Sequence, residues 1–191
     1  HVCGAEGLVR WQHPTQGMIP TEEFVRIAET SGLITPLTYR VLEAAFQQSY
    51  AWHESGLDQP LSVNLSACDL HDPALVDTLQ GLFATWGTKP EWIQFELTES
   101  ALMKDPIAAL EAIKRIKDLG VELFIDDFGI GHSSLSYLHR LPVNALKIDQ
   151  SFVRSLSADA VSVSIVQSII ELGHRLTLEV VAEGVETEEP C

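Results

Sequence analysis

Val121-Glu-Leu-Phe-Ile-Asp-Asp-Phe-Gly-Ile-Gly131 reads as a short buried strand that delivers two adjacent carboxylates, Asp126 and Asp127, into a Gly-x-Gly loop. Gly120 precedes it, and β-forming residues fill it. Like charges about 4 Å apart repel by roughly 4 kcal/mol at an effective dielectric of about 20, so the pair is either exposed or neutralised by a cation.

Outward from this strand, one pattern recurs. Leu61–Ser66 is a strand, Asp72-Pro73 an N-cap with Pro at the first helical position, and Leu75, Val76, Leu79, Leu82, Phe83 and Trp86 run at helical spacing to Gly87. Trp92–Glu99, Asp105-Pro106 and the stripe Ile107, Leu110, Ile113 and Ile116 repeat it up to Gly120. After Asp127 the pattern predicts a short helix over 133–139, a strand over 145–149, a helix over 160–172 and a strand over 178–183. Before residue 60 it predicts an extended stretch over 5–11 and helices over 21–31 and 35–52. Six strands alternating with helices imply an α/β fold with a mainly parallel sheet, and no linker composition divides the chain.

The polar residues fall at strand ends. Asn64, Glu96, Asp126 with Asp127, Lys147 with Asp149, and Glu183 each lie near the C-terminal end of a predicted strand. In a (β/α) barrel those ends converge on one face. Singly, such residues are turn formers, solvated carboxylates or surface ion pairs worth under about 1 kcal/mol. Their recurrence over successive units is harder to explain that way, because buried parallel strands select Val, Ile and Leu. Carboxylates with one amide oxygen make a hard-oxygen site suited to Mg²⁺ or Mn²⁺. The histidines show no metal-binding spacing, and the four tryptophans read as core.

The 191 residues carry a formal charge of −15, which argues against DNA, RNA or anionic membrane surfaces as partners. Three widely spaced cysteines fit a reducing, cytoplasmic setting. No stretch has the 18 or so apolar residues of a membrane span, so a membrane anchor would lie outside this segment.

Glu6-Gly-Leu-Val-Arg10, Ser62–Ser66, Glu96-Leu-Thr-Glu99, Asp126-Asp-Phe-Gly129, Ser133-Ser-Leu135, Leu146-Lys-Ile-Asp149 and Ala182–Glu186 follow in order through nearly the whole chain. In this the sequence resembles the EAL domain, the bacterial cyclic-di-GMP phosphodiesterase family. The resemblance implies a TIM-like barrel and two-metal hydrolysis of cyclic-di-GMP to linear pGpG. It implies Glu6, Asn64, Glu96 and Asp126 around one Mg²⁺ or Mn²⁺ ion and Asp126, Asp127 and Glu183 around a second. Lys147 and Asp149 would handle the attacking water, Leu8, Arg10 and Glu186 would face the substrate, and Glu99 would anchor the loop after Asp127. Dimerisation through that loop, and flanking sensory or diguanylate cyclase domains, are implied as well.

Departures from the family pattern set further expectations. Gly7 stands where the motif has Ala, and Ile130 and His132 stand where the family's loop has Thr and Tyr. The family's first strand and its C-terminal strand and helices have no counterpart, so residues 1–191 read as a single EAL domain truncated at both ends. The competing expectation is a non-catalytic receptor for cyclic-di-GMP, or an inactive fragment. Loss of metal ligands would mark such a receptor, and every implied ligand is present.

Overall fold

Parallel strands buried on both sides must be crossed over by helices, and the computed structural model, which describes residues 2–131, 135–156 and 159–185, has that alternation. The chain opens with β1 (Ala5–Gly7), an antiparallel hairpin of β2 (Trp11–His13) and β3 (Gly17–Ile19), and helices α1 (Thr21–Ser31) and α2 (Ile34–Glu54). Next come β4 (Leu61–Leu65), α3 (Ala67–Leu70), α4 (Leu75–Trp86), β5 (Ile93–Thr98), α5 (Glu99–Lys104) and α6 (Pro106–Lys117). It continues through β6 (Glu122–Phe128), α7 (Leu135–Leu138), β7 (Ala145–Ile148), α8 (Gln150–Arg154), α9 (Ala160–Arg175) and β8 (Glu179–Ala182).

The main sheet has six parallel strands in the order β1-β4-β5-β6-β7-β8, an open half-barrel with β1 and β8 at its edges. Side chains alternate along each strand, so each strand serves two faces. Val63, Phe95, Leu97, Leu123 and Leu146 are wholly buried and form one core with Leu42 and Phe46 of α2, Leu79 of α4, Ile113 and Ile116 of α6 and Ile169 of α9. The residues between them, Ser62, Asn64, Gln94, Glu96 and Lys147, belong to the opposite, concave face. Truncating a fully buried leucine here to alanine would cost about 2–5 kcal/mol.

Element boundaries follow local chemistry. Asp105 accepts from the Ala108 N–H ahead of Pro106, and Asp159 accepts from the Val161 and Ser162 N–H groups at the start of α9. Helix α4 begins at Leu75, later than the Asp72-Pro73 signal predicts, although Asp72 does accept from the Ala74 N–H. The extended stretch over 5–11 is a strand only as far as Gly7, and the hairpin and the helices α3, α5 and α8 were not among the elements read from the sequence.

Candidate metal centre at the strand ends

The register of the sheet brings the polar strand ends level. Asn64 pairs with Glu96, and Thr98 with Asp126. Between β6 and β7, Ile125 pairs with Leu146 and Phe128 with Ile148, so two residues, Asp126 and Asp127, oppose the single Lys147. This is a β-bulge, and Asp127 takes the left-handed conformation (φ 53°) that short polar side chains tolerate. The bulge keeps both carboxylates at the same strand end.

Lys147 is the hub. Its Nζ lies 2.7 Å from Glu96 Oε2, 2.7 Å from Glu183 Oε1, 3.3 Å from Asp126 Oδ1 and 3.8 Å from Glu6 Oε2. Glu6 is on β1, with three strands between it and β7; at about 4.8 Å per strand a flat sheet would hold them roughly 19 Å apart. Curvature of the sheet therefore assembles the site. Asn64 Nδ2 donates to Glu6 Oε1 at 2.7 Å, which adds the β4 residue to the cluster.

One buried ammonium does not satisfy this many carboxylates. Burial raises Glu96 to about 7, against the lowering effect of Lys147, and the charges of Glu6 and Asp126 add to the rise. Asp127 is raised to about 6, first by burial and then by Asp126, Asp149 and Glu183. Glu183 is raised too, by burial ahead of every other cause. For Lys147 burial acts downward, but the hydrogen bonds to Glu183 and Glu96 outweigh it and hold the ammonium well above its ordinary range.

The site thus has unmet capacity for positive charge. Asp126 Oδ1 is buried and makes no hydrogen bond among the described residues; its 3.3 Å approach to Lys147 is a charge contact outside hydrogen-bond geometry. One oxygen each from Asp126, Asp127 and Glu183 lie within 4.8 Å of one another. Oxygen donors, surplus negative charge and an unspent buried acceptor fit a divalent cation of the Mg²⁺ or Mn²⁺ type.

The other candidate residues surround this cluster. Asp149 is buried, caps α8 by accepting from the Ser151 N–H at 2.8 Å, and also accepts from the Ser151 hydroxyl. Glu99 is buried and accepts from the Gly129 N–H at 3.1 Å, while its Oε1 has no partner among the described residues. A Cβ at Gly131 would lie 2.6 Å from that Oε1, so the loop packs directly on Glu99. Leu8 and Arg10 are exposed; Arg10 donates to the Val9 carbonyl at 2.9 Å. Glu186 and His132 lie outside the described residues. At Gly7 an added Cβ would meet the Ser62 carbonyl at 3.3 Å, tighter than usual.

Sequence reading missed the cavity of about 490 Å³ beside the cluster, bounded by Gly7, Leu8, Asn64, Ser66 and Thr98 at the strand ends and by α1, α2 and α5. Its walls come from segments far apart in the chain, which no local pattern reports. Among the described residues no helix is long and apolar enough to cross a membrane.

The family model described as EAL domain matches residues 1–191. The bifunctional diguanylate cyclase/cyclic di-GMP phosphodiesterase MucR of Pseudomonas aeruginosa is 41% identical over 188 residues, 98% of this chain and 27% of its own length. The cyclic di-GMP phosphodiesterase PdeR of Escherichia coli is 41% identical over 186 residues, 97% of this chain and 28% of its own. A solved structure of the MucR phosphodiesterase in complex with c-di-GMP matches with a TM-score of 0.91 and 41% identity, over 96% of this chain and 74% of that one. The chain spans less than a third of the length of these curated relatives.

Proposed function

The chain belongs to the EAL domain family, and from that premise we propose that it hydrolyses cyclic-di-GMP to linear pGpG with two divalent ions, Mg²⁺ or Mn²⁺. The observation that carries this reading is the unspent buried carboxylate oxygen of Asp126, set among Asp127 and Glu183 where the strands converge. In this reading Glu6, Asn64, Glu96 and Asp126 hold one ion, and Asp126, Asp127 and Glu183 hold the other. Bound there, the ions supply Lewis-acid polarisation of the phosphodiester and acidify water.

The chain's own residues have distinct tasks. Lys147 Nζ donates in the hydrogen bond it makes to Glu96, so toward an attacking water it acts as a donor that fixes the water's orientation. Asp149, held by Ser151, is the neighbouring acceptor for the water's proton. Arg10 offers a guanidinium fork suited to a phosphate oxygen, and its Thr21 contact, at 3.5 Å, is easily exchanged. Glu99 holds the Gly129 backbone and with it the end of β6. Leu8 and Glu186 stand on the substrate side, and a cytoplasmic homodimer joined through the loop after Asp127, alongside sensory or diguanylate cyclase domains, completes the reading.

The test is release of pGpG, followed by anion-exchange chromatography, with Mg²⁺ and then Mn²⁺. Asp126→Asn, which keeps the shape and removes the shared charge, is expected to lower turnover by at least about 100-fold. Binding of cyclic-di-GMP with no cleavage under either metal would overturn the enzyme reading and assign a receptor.

A further inference from the structure

The strand ends that supply Asp127 and Glu183 rest on the same short helix. Ile148, at the end of β7, pairs with Phe128 of β6, and its carbonyl accepts from the Glu183 N–H at 3.2 Å. Beyond Ile148 the chain turns into α8, and α8 meets both the loop that follows β6 and the loop that follows β8.

Each loop meets α8 at a glycine with little room to spare. Gly129 follows Asp127 by two residues and has φ 106°; a Cβ there would lie 3.0 Å from Phe152 Cε2 and 3.1 Å from Ile169 Cδ1. Gly184 directly follows Glu183 and has φ 69°; a Cβ there would lie 2.9 Å from Gln150 Cβ. Both backbones approach closer than a side chain would comfortably allow, in a conformation that glycine adopts without strain. Phe152 is half-buried and packs against the main core, so its ring is held on the side away from the loop as well. Close-packed interiors transmit a displacement instead of absorbing it. The residues next to these glycines, Asp127 and Glu183, are two of the three carboxylates whose oxygens lie within 4.8 Å of one another.

We propose that α8 is the spacer for the ion that Asp126, Asp127 and Glu183 would hold, and that Phe152 is its positioning residue: the ring edge against Gly129 sets how far Asp127 stands from Glu183. Phe152 offers no donor atom and acts only through the backbone that carries Asp127. The inference rests on the proposed two-ion reading and adds what fixes the spacing of one ion's donors. A small cation such as Mg²⁺ demands near-ideal donor geometry, and groups that orient metal ligands are typically worth about 10- to 100-fold in affinity.

The test is a calorimetric titration of the metal-free 191-residue chain with Mn²⁺ alone. The parent is expected to take up two ions with separable Kd values, and Asp127→Asn identifies the ion in question by weakening it. Phe152→Ala should weaken that same ion by at least about tenfold and leave the other within about threefold. Phe152→Tyr, which keeps the ring edge, should bind both ions as the parent does. Leu79→Ala, a truncation at a wholly buried position of α4, is the control: it should lower Tm and leave the ratio of the two Kd values unchanged, which separates positioning from a general loss of stability. If Phe152→Ala does not fold, Phe152→Leu makes the same comparison, because leucine is apolar but does not reach as far as the ring. Equal weakening of both ions, a Kd ratio unmoved in both Phe152→Ala and Phe152→Leu, or a parent that takes up fewer than two ions would overturn the inference. The selective loss in Phe152→Ala, found in a chain whose parent releases no pGpG with Mg²⁺ or Mn²⁺, would sink the enzyme reading alone. Release of pGpG by the parent, with the Kd ratio unmoved in the variants, would sink this inference alone.

Discussion

Lys147 is 6% exposed and is the counter-ion of the carboxylate cluster when no metal is bound. Removing one partner of a buried ion pair costs about 3–5 kcal/mol, because the remaining charge stays desolvated. Lys147→Met should therefore lower the melting temperature of the metal-free protein sharply. Mn²⁺ should raise that temperature more in the variant than in the parent, since the ion supplies the charge the lysine no longer does. Equal metal-induced shifts by differential scanning fluorimetry would show that lysine and metal do not share the carboxylates. The sequence made Asn64, Glu96, Asp126 and Lys147 legible as strand-end residues, because strands have a strict period of two and parallel strands end on one side. It could not make the partners of Lys147 legible. Glu96 lies two strands away and Glu6 four, and only the curvature of the folded sheet closes those gaps. The left-handed Asp127 was equally hidden, since the bulge that produces it is a relation between β6 and β7.

At the scale of elements, α9 lies so close to β8 that a Cβ on Gly173 would come 2.3 Å from Val180 Cγ2. Valine is stiff at χ1 and cannot easily step aside. Gly173→Ala should thus destabilise by about 1–3 kcal/mol through overpacking, despite the better helix propensity of alanine. Val180→Ala in the same chain should recover most of the loss; a double-mutant cycle from urea unfolding with no coupling would refute the close contact. The start of α9 offers a pH test. Asp159 is held below the usual carboxylate range, first by the Ser162 hydroxyl and then by the Val161 N–H. A lowered folded-state value means the cap stabilises above the unfolded carboxylate's range and loses that contribution as pH falls through the folded value. Asp159→Ala should lower the melting temperature at pH 7, and the difference from the parent should shrink as the solution is acidified below about pH 4. Long helices such as α6 and α9 were readable from caps and apolar stripes. Helices of four to six residues, α3, α5 and α8, have too few turns to show a period, and only their capping residues Ser66, Thr98 and Asp149 marked them.

At the scale of the molecule, a formal charge of −15 faces the proposed substrate, which carries two phosphodiester charges. Bound divalent ions cancel repulsion at the site itself but reach only about one Debye length, near 8 Å at 0.15 M salt. Beyond that distance the approaching nucleotide meets the field of the whole acidic chain, which slows encounter rather than weakening the seated complex. Raising monovalent salt at constant free Mg²⁺ should therefore speed association and lower KM, with kcat little changed. Substrates steered by a positive groove behave in the opposite way. A KM that rises with KCl would mean that Arg10, Lys104 and the bound ions dominate the approach, and that the acidic surface lies away from the substrate's path. The half-barrel geometry favours the first outcome, because the concave face through which the site is reached is lined by Glu6, Glu96, Asp126, Asp127 and Glu183, with Lys147 already tied to four of these five carboxylates.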